Sequence, residues 1–256
     1  MKLRVLGCFG AEIPKCKLTC FLINDDLLID AGAVTNTLEL EEQFKIKYII
    51  LSHTHLDHIR DLVFLADNRG LNSKEAESLE IWAIKETIDI LKKHILNGLV
   101  WPDFTKILSI SGKPILILKE MPEEEEIIIG EYKITAIRVN HPGPSVGYLI
   151  EDRGKSILFT GDTGVTNRIW EIANKKENLA AVIVEVSFPN RMQDLANASY
   201  HLTPKNLALE ISKLKRDVPI FVFHIKPQFL KEIEEELKNL SNPKIQIMKQ
   251  DKIYKF

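Results

Sequence analysis

Short apolar runs separated by turn residues dominate the first half of the chain. Phe21-Leu22-Ile23 and Leu27-Leu28-Ile29 flank Asn24-Asp25-Asp26, and this combination predicts a β-hairpin. Ile46–Leu51 is predicted to be a buried strand, because Tyr48-Ile49-Ile50-Leu51 is a continuous apolar run. Similar patterns predict further strands at Lys2–Leu6, around Ile107, and at Ile115–Leu118, Ile127–Ile129 and Tyr132–Val139.

The second half of the chain shows the same pattern of short apolar runs separated by turn residues. Val146–Ile150 and Ser156–Phe159 flank Asp152-Arg153-Gly154, which predicts another hairpin. Ala180–Val186 is also predicted as a strand, because Leu179–Val184 is a continuous apolar run. Two more strands are predicted, at Pro219–Phe223 and, as the last of the chain, at Ile245–Met248.

Helical periodicity lies between these strands and at their flanks. Asn97-Gly98 is a stop signal for a helix over Lys85–Leu96, and Thr203 followed by Pro204 is a start signal for a helix that runs to Lys215. Other helices are predicted at His58–Asp67, Asn167–Lys175 and Pro227–Leu237. Two strand-rich halves with peripheral helices favour an α/β fold in which two sheets pack face to face, as one domain over residues 1–256.

Composition narrows the function classes. The chain has 256 residues, 45% of them hydrophobic, and a net charge of -2, so no global field recruits nucleic acid. No apolar run approaches the roughly 20 residues of a membrane helix, which favours a soluble, cytoplasmic protein without membrane contact. Three cysteines, Cys8, Cys16 and Cys20, do not suggest a disulfide framework, and we expect reduced thiols in or near the core.

Candidate chemistry is concentrated in Ser52-His53-Thr54-His55-Leu56-Asp57-His58, directly after the strand Ile46–Leu51. Imidazole and carboxylate are ligands for zinc and similar divalent metals. In an extended loop, residues two apart point the same way, so His53 and His55 can bind one ion. Asp57 and His58 come at a predicted helix start and should point towards a second ion. Two adjacent metal ions indicate hydrolysis.

Four later residues could contribute to the same site as this cluster, because each lies at or near the end of a predicted strand or the start of a predicted helix. His141 and His224 end strands, His201 precedes the Thr203 helix, and Asp162 lies between two glycines that permit a sharp turn. Each residue alone would more often be structural, but the set points to one open site. His94, in contrast, is expected to be an ordinary histidine on a helix surface.

The order of these residues resembles the motifs of the metallo-β-lactamase fold. Several segments are also similar to class II cyclic-nucleotide phosphodiesterases. They are Ser52–Ile59, Ser145–Ile150, Gly161–Gly164, Glu185–Asn190, His201–Pro204 and His224–Pro227. The resemblance implies a four-layer αββα sandwich with its site at the edge of the sheets.

The resemblance also implies roles for individual residues. It assigns His53, His55 and His141 to one metal ion, and Asp57, His58 and His224 to the other, with Asp162 bridging them. Asp30 is expected beside the ligands, where it would orient them. A metal-bridging hydroxide would attack phosphorus and convert a 3′,5′-cyclic nucleotide (cAMP or cGMP) into a 5′-nucleotide. We expect catalysis to depend on Asp57, Asp162 and His201, and substrate to contact His201, Ser187 and Asn190.

Alternatives remain at this point. A tRNA 3′-processing endonuclease would use nearly the same ligands, but such enzymes usually carry a tRNA-gripping arm between the positions of His141 and Asp162, and residues 142–161 leave no room for one. A metal-bound module without catalysis is a different class, although members of that class typically lose ligands. Two divalent ions are expected, zinc first and manganese or iron next. The expected partner is a small phosphodiester, nucleic acid is not expected, and a homodimer is open.

Overall fold

Two mixed β-sheets form the centre of the molecule. The structure is a computed structural model that describes residues 1–71 and 77–256, and within these residues each sheet has seven strands. The first sheet has the order β14-β1-β2-β3-β4-β5-β6, with these bounds: β1 (Lys2–Gly7), β2 (Cys20–Ile23), β3 (Leu27–Ile29), β4 (Tyr48–Ile50), β5 (Leu79–Ala83), β6 (Leu116–Glu120) and β14 (Ile253–Lys255). Its strands β3 to β6 are parallel, and the pairs on the β1 side are antiparallel.

The second sheet has the same plan. Its order is β13-β12-β11-β10-β9-β8-β7, with these bounds: β7 (Glu126–Ile129), β8 (Tyr132–Arg138), β9 (Val146–Asp152), β10 (Lys155–Phe159), β11 (Leu179–Glu185), β12 (Ile220–Phe223) and β13 (Ile245–Ile247). The strands β7 to β10 are antiparallel neighbours, and β10 to β13 are parallel. Consequently β8, β10, β11 and β12 all end at one edge of this sheet.

Helices cover the outer faces of the sheets. Their bounds are α1 (Leu40–Gln43), α2 (Leu56–Leu71), α3 (Lys85–Ile90), α4 (Arg168–Asn174), α5 (Gln193–Ala198), α6 (Pro204–Ile211) and α7 (Leu230–Asn239). A π-helical turn over Leu91–Ile95 continues α3, and 3₁₀ turns over Asn190–Met192 and Pro227–Phe229 precede α5 and α7. Helix α6 begins as predicted, because the Thr203 side chain accepts a hydrogen bond from the backbone N–H of Asn206.

Three hydrophobic clusters separate these layers. The central cluster lies between the sheets, where the rings of Phe21, Phe159 and Phe223 pack with centroids 5.0–5.7 Å apart. A second cluster joins the outer face of the first sheet to α2, and a third joins the second sheet to α4, α6 and α7. Alternation along the strands supplies both faces, since Phe21 lies in the central cluster and Leu22 in the outer one. The fold is therefore the predicted four-layer αββα sandwich.

Most predicted elements are confirmed. Two strand predictions are wrong, and one helix ends earlier than predicted. Ile107 does not lie in a strand, because its neighbour Leu108 makes only an isolated bridge to Pro114 and both Ile107 and Leu108 are exposed. Ile245–Met248 is not the last strand, because β14 follows it and pairs with β1. The Thr203 helix also ends at Ile211, before the predicted Lys215.

Over 1–71 and 77–256, none of the helices combines the length and the apolar character that crossing a membrane requires.

Candidate metal centre

The candidate ligands meet where strands of both sheets end. His53, His55, Asp57 and His58 follow β4 of the first sheet, and the last two belong to the first turn of α2. The second sheet contributes three side chains that follow β8, β10 and β12, namely His141, Asp162 and His224. Because these strands end at one edge, seven side chains distant in sequence converge there. His94 lies outside this group and is exposed, as predicted.

The seven candidate ligands form two sets, in each of which the ligand atoms lie within 4.8 Å of one another, and His201 lies within the same distance of members of both sets. The first set is His53, His55 and His141, the group that the family resemblance implies. Nδ1 of His55 lies 3.2 Å from Nε2 of His141, and the rings of His53 and His55 pack edge to face with centroids 4.6 Å apart. The Nδ1–H of His141 donates to the carbonyl of Tyr200 at 3.0 Å, so its Nε2 is free for a ligand.

The second set is Asp57, His58, Asp162 and His224. Nε2 of His224 lies 3.2 Å from Oδ2 of Asp57, 3.1 Å from Oδ2 of Asp162 and 3.3 Å from Nε2 of His58. Oδ2 of Asp162 is also 3.9 Å from Nε2 of His53, a member of the first set. The Asp162 carboxylate therefore lies between the two sets, where the sequence had placed a bridging group.

Three observations show that these residues fit divalent metal ions. His53 Nε2 and Asp162 Oδ1 are buried and have no hydrogen-bond partner, although a buried polar atom normally has one. Ligands of one zinc ion at about 2.0–2.1 Å lie about 3.3 Å apart at tetrahedral angles, close to the spacing of the nitrogens and oxygens described above. The donors are imidazole and carboxylate, which suit zinc, manganese and iron.

Burial and charge set the pKa values of this centre. Burial and the neighbouring His58 hold the pKa of His53 well below its usual range. Burial also lowers the pKa of His58, but the carboxylates of Asp162 and Asp30 outweigh it and raise that pKa well above normal. Burial raises the pKa of Asp162, yet His224 and His58 bring it well below its usual range. The Asp162 carboxylate thus stays ionised and favours positive charge beside it.

Asp30 lies directly beside the ligands, as expected. Its Oδ2 accepts the Nδ1–H of His58 at 2.7 Å and the hydroxyl of Ser52 at 2.8 Å, and its Oδ1 accepts the Ser52 backbone N–H. The Ser52 hydroxyl in turn lies 3.0 Å from Nδ1 of His53. Asp30 thereby holds one histidine of each set, directly or through Ser52, in the orientation that leaves Nε2 free.

His201 lies at the border of the two sets, with 11% of its side chain exposed. Its ring packs against His141 and stacks on His224, at centroid distances of 4.9 and 5.4 Å. Its Nδ1–H donates to Oε1 of Glu185 at 2.7 Å. Burial lowers the pKa of His201, but Glu185 outweighs it and raises the pKa above the usual value.

Sequence reasoning gave no role to Glu185, although a signal for it existed. It is the one charged residue in the strand Leu179–Glu185, and it is completely buried. A carboxylate that ends an apolar strand needs partners, and here Thr163 N–H and the Ser187 hydroxyl donate to it along with His201.

The two other expected substrate contacts are engaged within the protein. Ser187 is completely buried, and its hydroxyl contacts Glu185 and two imidazoles, which argues against a direct substrate contact. Asn190 is half-buried, and its Oδ1 accepts the backbone N–H of Lys205 at 2.8 Å. A substrate contact by Asn190 stays a prediction.

Unusual backbone conformations occur around the centre. Asp30, Tyr200 and His224 have φ values of 57°, 55° and 65°, which non-glycine residues rarely adopt. Gly161 has a φ of 61°, and a Cβ there would lie 2.8 Å from the Val146 carbonyl, so the predicted glycine turn before Asp162 is present. The backbone is thus locally strained where it positions the candidate ligands.

Comparisons with known proteins agree with this geometry. The chain is 28% identical over 203 residues to a probable 3′,5′-cyclic-nucleotide phosphodiesterase of Yersinia pestis, covering 70% of this chain and 57% of that protein. It is 26% identical to a 3′,5′-cyclic-nucleotide phosphodiesterase of Aliivibrio fischeri, covering 96% of this chain and 84% of that protein. The chain thus spans little more than half the length of the first relative.

A solved structure and a family model extend the comparison. Unliganded yeast PDE1 has the same fold, with a TM-score of 0.81, 20% identity and 98% of each chain covered. The model described as "Beta-lactamase superfamily domain" matches residues 26–225, which is most of the chain. The chain therefore belongs to the beta-lactamase superfamily and has its metallo-β-lactamase fold.

Proposed function

We propose that this protein is a metal-dependent phosphodiesterase that hydrolyses 3′,5′-cyclic nucleotides to 5′-nucleotides. The observation that carries the proposal is the pair of ligand sets that meet at Asp162, with His201 beside both. Two metal positions close together suit the displacement of an oxygen at phosphorus, where charge accumulates on the attacking, leaving and non-bridging oxygens. The names of the relatives from Yersinia pestis and Aliivibrio fischeri support this substrate class.

The ligand assignment follows the two sets. His53, His55 and His141 would hold one ion, and Asp57, His58 and His224 the other, with Asp162 shared between them. Zinc is the first candidate because imidazoles predominate, and manganese or iron would also suit these donors. When bound, the ions would lower the pKa of water and stabilise negative charge on the phosphate oxygens.

His201 would contribute the proton that the reaction requires. Hydrolysis adds OH to phosphorus and breaks the P–O3′ bond, so the departing O3′ must receive a proton. Nδ1 of His201 is engaged by Glu185, and its Nε2 is therefore the atom that can donate to O3′ or hold a phosphate oxygen. The raised pKa of His201 favours the protonated ring that a general acid needs.

Two features of the chain as a whole belong to the same proposal. We regard residues 1–256 as one domain, because both sheets supply ligands to each set and β14 pairs back onto β1. A cytoplasmic location is supported by Cys8, Cys16 and Cys20, all of which are free thiols. A homodimer is compatible with this proposal but is not needed for it, since each ligand set is complete within one chain.

Two competing functions use the same centre. The tRNA 3′-processing alternative has little support here, because residues between His141 and Asp162 form a short loop and the β9–β10 hairpin. A binding module without catalysis has even less support, because all seven candidate ligands are present and converge.

The direct test is hydrolysis by metal-free protein reloaded with zinc or manganese. We expect turnover of bis(p-nitrophenyl) phosphate and of cAMP or cGMP, with 5′-nucleotide as the product by chromatography. Asp162→Ala should abolish turnover and empty at least one metal position, as measured by elemental analysis. His94→Gln is the matched control, because this histidine is exposed and belongs to neither set.

Each outcome discriminates between the functions. Turnover of the model ester without turnover of either cyclic nucleotide would reject the cyclic substrate and direct attention to other phosphodiesters, including precursor tRNA. Metal binding without turnover of any ester would favour the binding module. Full metal content in Asp162→Ala would contradict the shared role of that carboxylate.

A further inference from the structure

The Ser187 hydroxyl occupies an unusual position behind the candidate centre. It lies 2.9 Å from Nδ1 of His224, 3.1 Å from Nδ1 of His201 and 3.1 Å from Oε2 of Glu185. Its side chain is completely buried, so it cannot meet a ligand in the cleft directly. Any influence of Ser187 on the reaction must therefore pass through the groups that it contacts.

Counting protons assigns a direction to these contacts. A serine hydroxyl has one proton to donate and two lone pairs to accept with, whereas the Glu185 carboxylate can only accept. The hydroxyl therefore donates to Oε2 of Glu185, and a lone pair remains for the Nδ1–H of His224. His201 does not compete for that lone pair, because its own Nδ1–H donates to Oε1 of Glu185 at 2.7 Å.

We propose that Ser187 is a positioning residue that fixes His224 in the tautomer with its proton on Nδ1. In this tautomer Nε2 carries a lone pair, and Nε2 is the atom that faces Asp57, His58 and Asp162. The inference rests on the proposed function only in taking His224 as a metal ligand. It reassigns Ser187 from the substrate to the ring behind the metal position.

The opposite side of the centre contains the same arrangement. There the Ser52 hydroxyl donates to the buried carboxylate of Asp30 at 2.8 Å and accepts from Nδ1 of His53 at 3.0 Å. Nε2 of His53 is left buried and without a partner, as a ligand atom would be. Each sheet thus supplies one carboxylate and one serine that hold a histidine of a different ligand set.

Glu185 has two effects in this arrangement. Through Oε1 it holds His201, the proposed proton donor, and through Oε2 and the Ser187 hydroxyl it holds the ring of His224. One buried carboxylate of the second sheet would therefore fix the positions of the proton donor and of a metal ligand relative to each other. The direct bond between His201 and Glu185 does not include Ser187, so removal of the Ser187 hydroxyl should affect metal affinity more than proton donation.

Metal affinity is the first test, with zinc titrated into metal-free protein against a chromogenic chelator. Ser187→Ala should weaken one of the two zinc affinities roughly 10- to 100-fold, as loss of a group behind a metal ligand typically does. Ser187→Thr keeps the hydroxyl and should restore that affinity. Ser52→Ala is the matched variant on the other sheet, and it should weaken the other affinity.

The Nδ1 proton of His224 is the second test, read from long-range ¹H–¹⁵N spectra of the zinc-loaded protein. In the wild type this proton should be hydrogen-bonded and exchange slowly with water, and in Ser187→Ala it should exchange faster, whereas the signals of exposed His94 should not change. His224→Gln assigns the signal. Unchanged zinc affinities and an unchanged exchange rate of the His224 Nδ1 proton in Ser187→Ala would overturn the proposal. Because neither readout involves turnover, failure of the proposed phosphodiesterase activity would leave this test intact.

Discussion

Glu185→Gln is the substitution that tests the proton donor most directly. Glutamine has the shape of glutamate, so packing in the strand Leu179–Glu185 should be unchanged, but the charge is lost. In the native protein Oε1 accepts the Nδ1–H of His201 at 2.7 Å, and this carboxylate is the cause of the raised His201 pKa. Without the charge, the protonated ring loses its main stabilising partner.

The structure sets the expected size of this effect. A hydrogen bond to a charged group contributes about 1.5–3 kcal/mol, and Glu185 is completely buried while His201 is mostly so. At 1.36 kcal/mol for each factor of ten, the turnover rate should fall about 10- to 150-fold. His201→Ala removes the donor itself and should reduce the rate about 10²–10⁴-fold, the range that general acid catalysis supplies.

The assay is steady-state turnover of a cyclic nucleotide at saturating metal, together with the metal content of each variant. At saturating metal a weaker hold on His224 does not limit metal occupancy, so the remaining effect of Glu185 on the rate passes through His201. The double variant should then be no slower than His201→Ala alone. Multiplying losses in the double variant would refute this reasoning. So would loss of metal from His201→Ala, because His201 would then be a ligand and not a proton donor.

Three further predictions concern the amino-terminal segment. Cys16 is partly exposed and should react with a thiol reagent in the folded protein, whereas buried Cys8 and Cys20 should react only after unfolding. Burial raises the pKa of Cys8 from 9.0 to about 12, so the free energy of unfolding, measured with urea, should fall as pH rises through this interval because the unfolded chain ionises first. Gly10→Ala should weaken zinc binding, because its Cβ would lie 2.7 Å from two atoms of the His224 ring; an unchanged affinity by chelator competition would contradict this.

The fold was largely predictable because local patterns determine it. The apolar runs Phe21–Ile23 and Leu27–Ile29, with Asn24-Asp25-Asp26 between them, correspond to the observed β2–β3 hairpin. The strand prediction around Ile107 was wrong because apolar residues also occur in exposed loops, and sequence does not reveal which side chains stay in water. Strand β14 was not predicted, because its three residues are too few to show a period-2 pattern. Its pairing with β1 also joins opposite ends of the chain.

The site was predictable as a set of ligands but not as a network. Residues such as His53 and Asp162 stand out by type and spacing, and the structure brings them together. Glu185, Ser52 and Ser187 act through contacts between elements that are distant in sequence, and neither periodicity nor spacing encodes such contacts. Burial is what distinguishes Ser187 behind the centre from a serine in front of it, and burial appears only in the folded chain.

Each ligand set draws on both sheets, and this division has a mechanical consequence. An ion in either set would join the end of β4 to strand ends of the second sheet, and so connect two layers that otherwise meet mainly through apolar side chains. Binding at 100 times Kd would add about 2.7 kcal/mol to the docking of the layers. A chain cut between β6 and β7 would yield two fragments with half a centre each, whose reassembly would depend on divalent metal and be reinforced by β14 pairing across to β1. Metal binding at this centre would thus also hold the two halves of the protein together.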